Sequence, residues 1–318
     1  MIRLTAVLVL TASASAWAQV EAPVFGYLPD GTHLRPVFGI PASASIGAAA
    51  DFGRDFARIA VSPRQDLAIV AAADTGAVFV ASAAGTMTPI AGADANPDRI
   101  FLSPRGSAAL LWNASNGRLQ IVTGLPGSPS VRNADATFLN TLPHAFAVSD
   151  DGQFAAGAFA DGVWLFGPQG QATPLPSQER AAALAFFAGR ADLAVVTATH
   201  VFSIKDVGGQ PAVSMLYEGP RMAPVGVALS ADNLHLVAPE VSGRLLSLDL
   251  SNGSAARFDC GCSPEGAFSM GRSVFRFTGL KGAVFKVFDA STGDVFFVPL
   301  AAGSGDAGPN GTGQGGQQ

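Results

Sequence analysis

The sequence predicts an all-β protein made of four-stranded antiparallel units arranged in a ring, and three observations lead there. Of 318 residues, 37 are Gly and 21 are Pro, so chain breakers recur too often for long helices. Short apolar runs of strand length lie between these breakers. A sequence pattern repeats with a period of about forty residues. It recurs at Ser62, Ser103, Ser149, Phe187, Ser230 and Ser269, spaced 41, 46, 38, 43 and 39 apart, a mean of 41.4. Four strands per period, closed on themselves, is the sequence signature of a β-propeller.

Each unit opens on an apolar run that ends at one of these anchors. The clearest are Ile59-Ala60-Val61-Ser62-Pro63, Ile100-Phe101-Leu102-Ser103-Pro104 and Phe146-Ala147-Val148-Ser149-Asp150, and weaker copies end at Phe187, Ser230 and Ser269. A turn and a second apolar run follow, as in Leu67–Ala73, Ala108–Trp112, Phe154–Phe159, Leu193–Ala198 and Leu234–Ala238. These second runs are small and apolar throughout, as strands buried on both faces should be. A hairpin completes the unit, turning at Pro168-Gln169-Gly170, Ser251-Asn252-Gly253-Ser254 or Ser291-Thr292-Gly293. Gln178–Ala188 is Ala-rich and favours helix on propensity, but the repeat register assigns it to a strand. The leading segment Val24–Ile40 matches only the outer hairpin of a unit. Dividing the foldable length by the period gives about 6.9 units. We therefore expect seven blades, one of them incomplete, with six blades plus an extra hairpin as the alternative.

The chain ends bound this domain. Arg3, the apolar run Leu4–Leu10 and the small-x-small site Ala16-Trp17-Ala18 form a signal-peptide pattern, which predicts cleavage after residue 18. The apolar run is far too short to span a bilayer, so no membrane insertion is expected after cleavage. Residues 303–318 are almost wholly Gly, Asn, Gln, Ser, Asp and Thr and are expected to be disordered. That leaves 19–302 as the propeller domain of a periplasmic or extracellular protein, expected to be monomeric. A net charge of −5 argues against a nucleic-acid partner.

Phe146-Ala147-Val148-Ser149-Asp150-Asp151-Gly152 and the Ser-Pro units at 62 and 103 resemble the V-x-S-P-D-G repeats of exported bacterial WD40-like, YVTN-type and TolB-like propellers. The resemblance covers nearly all of 57–300, through short degenerate repeats. Only one copy keeps the Asp-Gly pair, and the Trp-Asp dipeptide of true WD40 repeats is absent. It implies the propeller fold, and no particular subfamily.

The sequence carries little catalytic patterning. His33, His144, His200 and His235 form no metal-binding spacing, and Asp94–Asp98 lacks the Gly and Glu of a calcium loop, so no cofactor or metal is expected. No nucleophile elbow or phosphate-binding loop is present. Cys260 and Cys262 form Cys-Gly-Cys, read as a candidate disulfide; placed on a strand, both would share one face. Carrying electrons through the pair would require both sulfurs to be open to solvent.

In a propeller, the links between blades and the loops between second and third strands share one face, around the channel mouth, where ligand groups are expected. That face would hold Asp94, Asp98, Arg99, Arg132, Asp135, His144, Glu179, Arg180, Glu218 and Arg221, with the segment Pro126–His144 as its longest link. The expected function is binding or scaffolding of a protein or glycan ligand in the cell envelope or exterior. The alternative is a hydrolase of the lactonase type, which some YVTN-like propellers are, and it needs His144, Glu179 or Glu218 to converge at the channel.

Overall fold

The computed structural model describes residues 23–300, except 83–84, 140, 177–178 and 281–283. Among the described residues the chain forms seven sheets in sequence order. Blade 1 has three strands, β1 (Val24–Asp30), β2 (His33–Phe38) and β3 (Ser45–Ile46). Blade 2 holds β4 (Phe56–Val61), β5 (Leu67–Ala72), β6 (Val78–Ser82) and β7 (Met87–Pro89). Blade 3 holds β8 (Arg99–Leu102), β9 (Ala109–Asn113), β10 (Arg118–Thr123) and β11 (Ser130–Asp135). Blade 4 comprises β12 (Ala145–Val148), β13 (Ala155–Phe159), β14 (Gly162–Phe166) and β15 (Ala172–Leu175). Blade 5 comprises β16 (Ala183–Phe186), β17 (Leu193–Val196), β18 (His200–Lys205) and β19 (Ala212–Glu218). Blade 6 follows with β20 (Ala228–Leu229), β21 (His235–Pro239), β22 (Arg244–Asp249) and β23 (Ser254–Asp259), and blade 7 with β24 (Phe268–Ser269), β25 (Val274–Arg276), β26 (Val284–Asp289) and β27 (Asp294–Pro299). Each blade is an antiparallel meander, with consecutive strands paired.

Packing between blades closes the ring. In β9, Ala109 and Leu111 join an apolar cluster with Leu67, Ile69 and Val80 of blade 2. Leu110 and Trp112, on the opposite face of the same strand, join Phe146 and Phe159 of blade 4. The same alternation makes seven clusters, each shared by two successive blades, and the last joins blade 7 to blade 1 through Phe285, Val287, Leu28 and Val37. Burying one Leu, Ile or Phe contributes about 1.5–3 kcal/mol, so these dry interfaces are the main force holding the wheel together. Val196, in the Ala-rich stretch's partner strand, and Phe186 are buried, and Ala183–Phe186 is a strand: burial overrides helix propensity there.

The repeated anchors have a common physical role. Ser62, Ser103, Ser149 and Ser230 are all buried, and each donates its backbone N–H to the carbonyl five residues on. Three of the hydroxyls donate to a following carboxylate: Ser62 to Asp66 at 2.6 Å, Ser149 to Asp151 at 2.6 Å and Ser230 to Asp232 at 2.5 Å. Three residues past the anchor the backbone has positive φ, at Gln65, Gly106, Gly152, Asn233 and Arg272. This explains the Gly of the repeat, and Gln, Asn and Arg adopt the conformation in the other copies.

These turns interlock around one end of the channel. The Asp150 carboxylate accepts the N–H groups of Arg105 and Gly189, both at 2.6 Å, tying blade 4 to blades 3 and 5. Asn233 exchanges hydrogen bonds with Ala188 at 2.7 and 3.0 Å, and the Ala231 N–H donates to the Arg272 carbonyl at 3.1 Å. Blade 1 is skipped. Gln65 of blade 2 donates to the Ser269 carbonyl of blade 7 at 2.8 Å and accepts the Tyr27 N–H of blade 1 at 2.8 Å.

The skip follows from strand direction. The Phe56 N–H, at the start of β4, donates to the carbonyl of Thr32 in the β1–β2 turn, while Tyr27 meets the turn at the other end of β4. Strand β1 therefore runs against β4, as a second strand does, and blade 1 has no inner strand among the described residues. Seven blades with the first incomplete match the expectation, but Val24–Phe38 supplies the second and third strands of blade 1 and β3 the outer one, so the segment is not the outer hairpin it was expected to be. The segment Pro126–His144 is not one long link. Ser130–Asp135 within it is the outer strand β11, paired with β10, so the link proper is short.

Candidate ligand-binding face at the channel mouth

The inner strands begin at the end of the channel opposite the interlocked turns. Here links and second-to-third-strand turns hydrogen-bond to each other. The Ala73 N–H donates to Asp55, that of Asn96 to Gly76 and that of Met222 to Ala198. Asp98 lies in this pattern: its carboxylate accepts the Ala114 N–H at 2.6 Å.

Three exposed arginines bridge successive blades along this rim. Arg58 Nε donates to the Asp98 carbonyl at 3.1 Å, from blade 2 to blade 3. Arg99 Nη1 donates to the His144 carbonyl at 3.3 Å, from blade 3 to blade 4. From the blade 5 side, Arg180 donates to His144 Nε2. Among the described residues none of the three has a carboxylate within 4.0 Å. Partial burial, then Arg180, then Arg99 hold His144 below the usual imidazole range, so the ring accepts the Arg180 proton in its neutral form. The result is an arc of fixed positive charge on a chain whose net charge is −5.

Beside the arc, blade 5 carries an acid–imidazole cluster. His200 Nδ1 lies 2.8 Å from Glu179 Oε1, and Nε2 lies 3.8 Å from Glu218 Oε1. The ring stacks on Phe202 with centroids 5.3 Å apart. Thr197 donates to Glu179 Oε2 at 2.5 Å and Thr199 donates to the same oxygen at 3.1 Å. The Thr197 hydroxyl, then His200, hold the Glu179 carboxyl below its ordinary value.

The structure thus brings Asp98, Arg99, His144 and Arg180 onto one rim, and joins Glu179 and Glu218 through His200. Arg221 is exposed in the link between β19 and β20. Asp94 pairs with Arg118 at 3.1 Å, and Asp135 accepts the Thr137 N–H at 2.8 Å. Arg132 stands apart. It projects from β11 to the carbonyls of Gly152, Gln153 and Gly167, at 2.9, 2.8 and 3.0 Å, and so clamps blade 3 to blade 4 near the interlocked turns. Arg58 is not among the residues expected at the mouth, although it precedes Arg99 by 41 residues, one period of the repeat. In sequence His200 and His144 are the better-placed loop histidines, but nothing there joins His200 to Glu179.

Cys260 and Cys262 form a disulfide, with Cα atoms 5.1 Å apart. They sit past the end of β23, in the link to blade 7, and Gly261 between them has φ of +51°. The pair therefore occupies a turn, where the sequence reading considered a strand.

No family model matches the sequence, and no curated protein matches it. Among solved structures, a chain of the crystal structure of a mitotic checkpoint complex superposes with a TM-score of 0.54 at 12% identity, over 94% of this chain and 99% of that one. In all, 1467 solved chains match, so the likeness is to an architecture and not to one protein. These comparisons support the propeller fold.

Proposed function

We propose that this chain is an exported binding propeller of the periplasm or cell exterior, which docks a carboxylate-bearing segment of a partner protein on its arginine arc. Arg58, Arg99 and Arg180 are fixed on one rim by carbonyls and an imidazole, and among the described residues none has a carboxylate within 4.0 Å; this observation carries the proposal. Guanidiniums pair well with planar carboxylates, and each exposed pair contributes up to about 1 kcal/mol. A multi-point contact along three blades suits a protein segment, and the solved neighbour is itself a component of a protein complex. The signal-peptide pattern supports export, although residues 1–18 lie outside the described residues. The test is photocrosslinking from position 221, beside the arc. An acidic protein recovered from wild type but not from an Arg99→Met/Arg180→Met variant supports the reading, whereas a crosslinked glycan or no adduct counts against it.

The cluster Glu179–His200–Glu218 supports a second reading, that of a hydrolase. An imidazole between two carboxylates has the reach for acid–base work. His200 occupies the place where His144 was expected. Turnover of lactones by the purified protein, abolished in His200→Gln, would favour it over the first reading.

A further inference from the structure

We infer that Cys260–Cys262 is a thiol–disulfide exchange site, which oxidises dithiols through attack at Cys262. The pair is a poor structural staple. In the chain-entropy picture a loop of three residues gains roughly half of what a 15-residue loop gains. The backbone around it is already held without the bond: the Cys260 N–H donates to the Gly243 carbonyl at 2.9 Å and the Gly261 N–H to Asp259 at 2.8 Å.

The surroundings suit exchange. Cys260 is buried, 3% exposed, whereas Cys262 is half-buried on the channel-mouth side of the link. Exchange does not need two open sulfurs. One suffices, because a thiolate attacks a single sulfur and the other leaves. A cation is held at the backbone of the pair, while the Cys260 side chain packs among Phe275, Phe277 and Phe288. Lys286 Nζ donates to the carbonyls of Cys260 at 3.0 Å and Gly261 at 2.7 Å, and lies 5.1 Å from the centre of the Phe297 ring. Apolar burial disfavours a Cys260 thiolate, and the ammonium fixed on its backbone is the charge that offsets this; a more stable leaving thiolate leaves faster. Asp259 is the opposing charge, and it is engaged by the Gly261 N–H.

One thiolate of the dithiol bonds to Cys262 Sγ, and the Sγ–Sγ bond breaks with its electron pair on Cys260. The second thiol, deprotonated, attacks the substrate sulfur of the mixed disulfide and expels Cys262 as a thiolate. The dithiol loses two electrons and two protons, and the cysteine pair takes up both.

The test equilibrates the folded protein with mixtures of reduced and oxidised glutathione, counting free thiols by alkylation and mass spectrometry while circular dichroism follows the fold. The expected result is two thiols per chain at millimolar reduced glutathione, with the melting temperature unchanged. Lys286→Met should require an about tenfold more reducing glutathione ratio for half-conversion, as loss of a neighbouring cation does for thiolate stability. With single cysteines, Cys260→Ser should form a mixed disulfide at Cys262 with oxidised glutathione, and Cys262→Ser should resist. Thiols that appear only on unfolding, or a mixed disulfide that forms equally at Cys260, would overturn the inference.

Discussion

Replacing Asp150 by Ala should open the interlocked turns where they are most heavily bonded. The carboxylate is 12% exposed and accepts two backbone N–H groups from the neighbouring blades, each at 2.6 Å. A hydrogen bond to a charged group is worth about 1.5–3 kcal/mol, and the low end applies because Arg105 and Gly189 are open to water. Two such bonds give a loss of about 3 kcal/mol. The Arg105 guanidinium, 3.9 Å away and 60% exposed, adds little. Asp150→Asn should lose about half as much, since one amide oxygen can keep one donor. Urea denaturation followed by tryptophan fluorescence measures both. A loss under about 1 kcal/mol for Asp150→Ala would refute the view that these turns clasp the ring.

Other expectations follow from the same geometry. Gly152→Ala should cost about 1–3 kcal/mol, seen in the same denaturation assay, because φ is +63° and an added Cβ would collide with Thr123 of blade 3. Acid should destabilise the protein. Thr137 holds the Asp135 carboxyl low, Thr197 and His200 hold Glu179 low, and Ser251 holds Asp249 low. Each binds its proton less readily when folded, so its stabilisation is complete above the unfolded value near 4 and is lost as pH falls through the lower folded value. Denaturation curves across the acid range should show this, and Glu179→Gln should flatten the dependence. His144 carries the opposite kind of burden: its folded value lies below the unfolded value of about 6.5, so protonation below that pH favours unfolding. An NMR titration should find His144 below the normal range, and Arg180→Met should move it back up.

How far the sequence led depended on what each feature rests on. The anchors were legible because the buried Ser hydroxyl, its carboxylate partner and the positive-φ residue must all lie within a few positions. That blade 1 is incomplete among the described residues was legible as an incomplete repeat, although which of its strands are present was not. Face assignment was less secure. Arg132 was assigned to a link because the outer strand β11 is polar, and its alternation, with Ala134 in and Asn133 out, resembles a loop. The rim arginines required the period to be applied to charged residues as well as apolar ones, which would have paired Arg58 with Arg99. The joining of Glu179 to His200 depends on a link folding back over a turn of its own blade, a contact no local pattern encodes.

The most direct test of the binding face is calorimetric titration of a glutamate-rich peptide into wild type and an Arg58→Met/Arg99→Met/Arg180→Met variant at low and moderate salt. Binding by wild type that weakens with salt and disappears in the variant is the predicted result. Equal binding by both proteins, or none by either, would contradict the arginine arc as the docking surface.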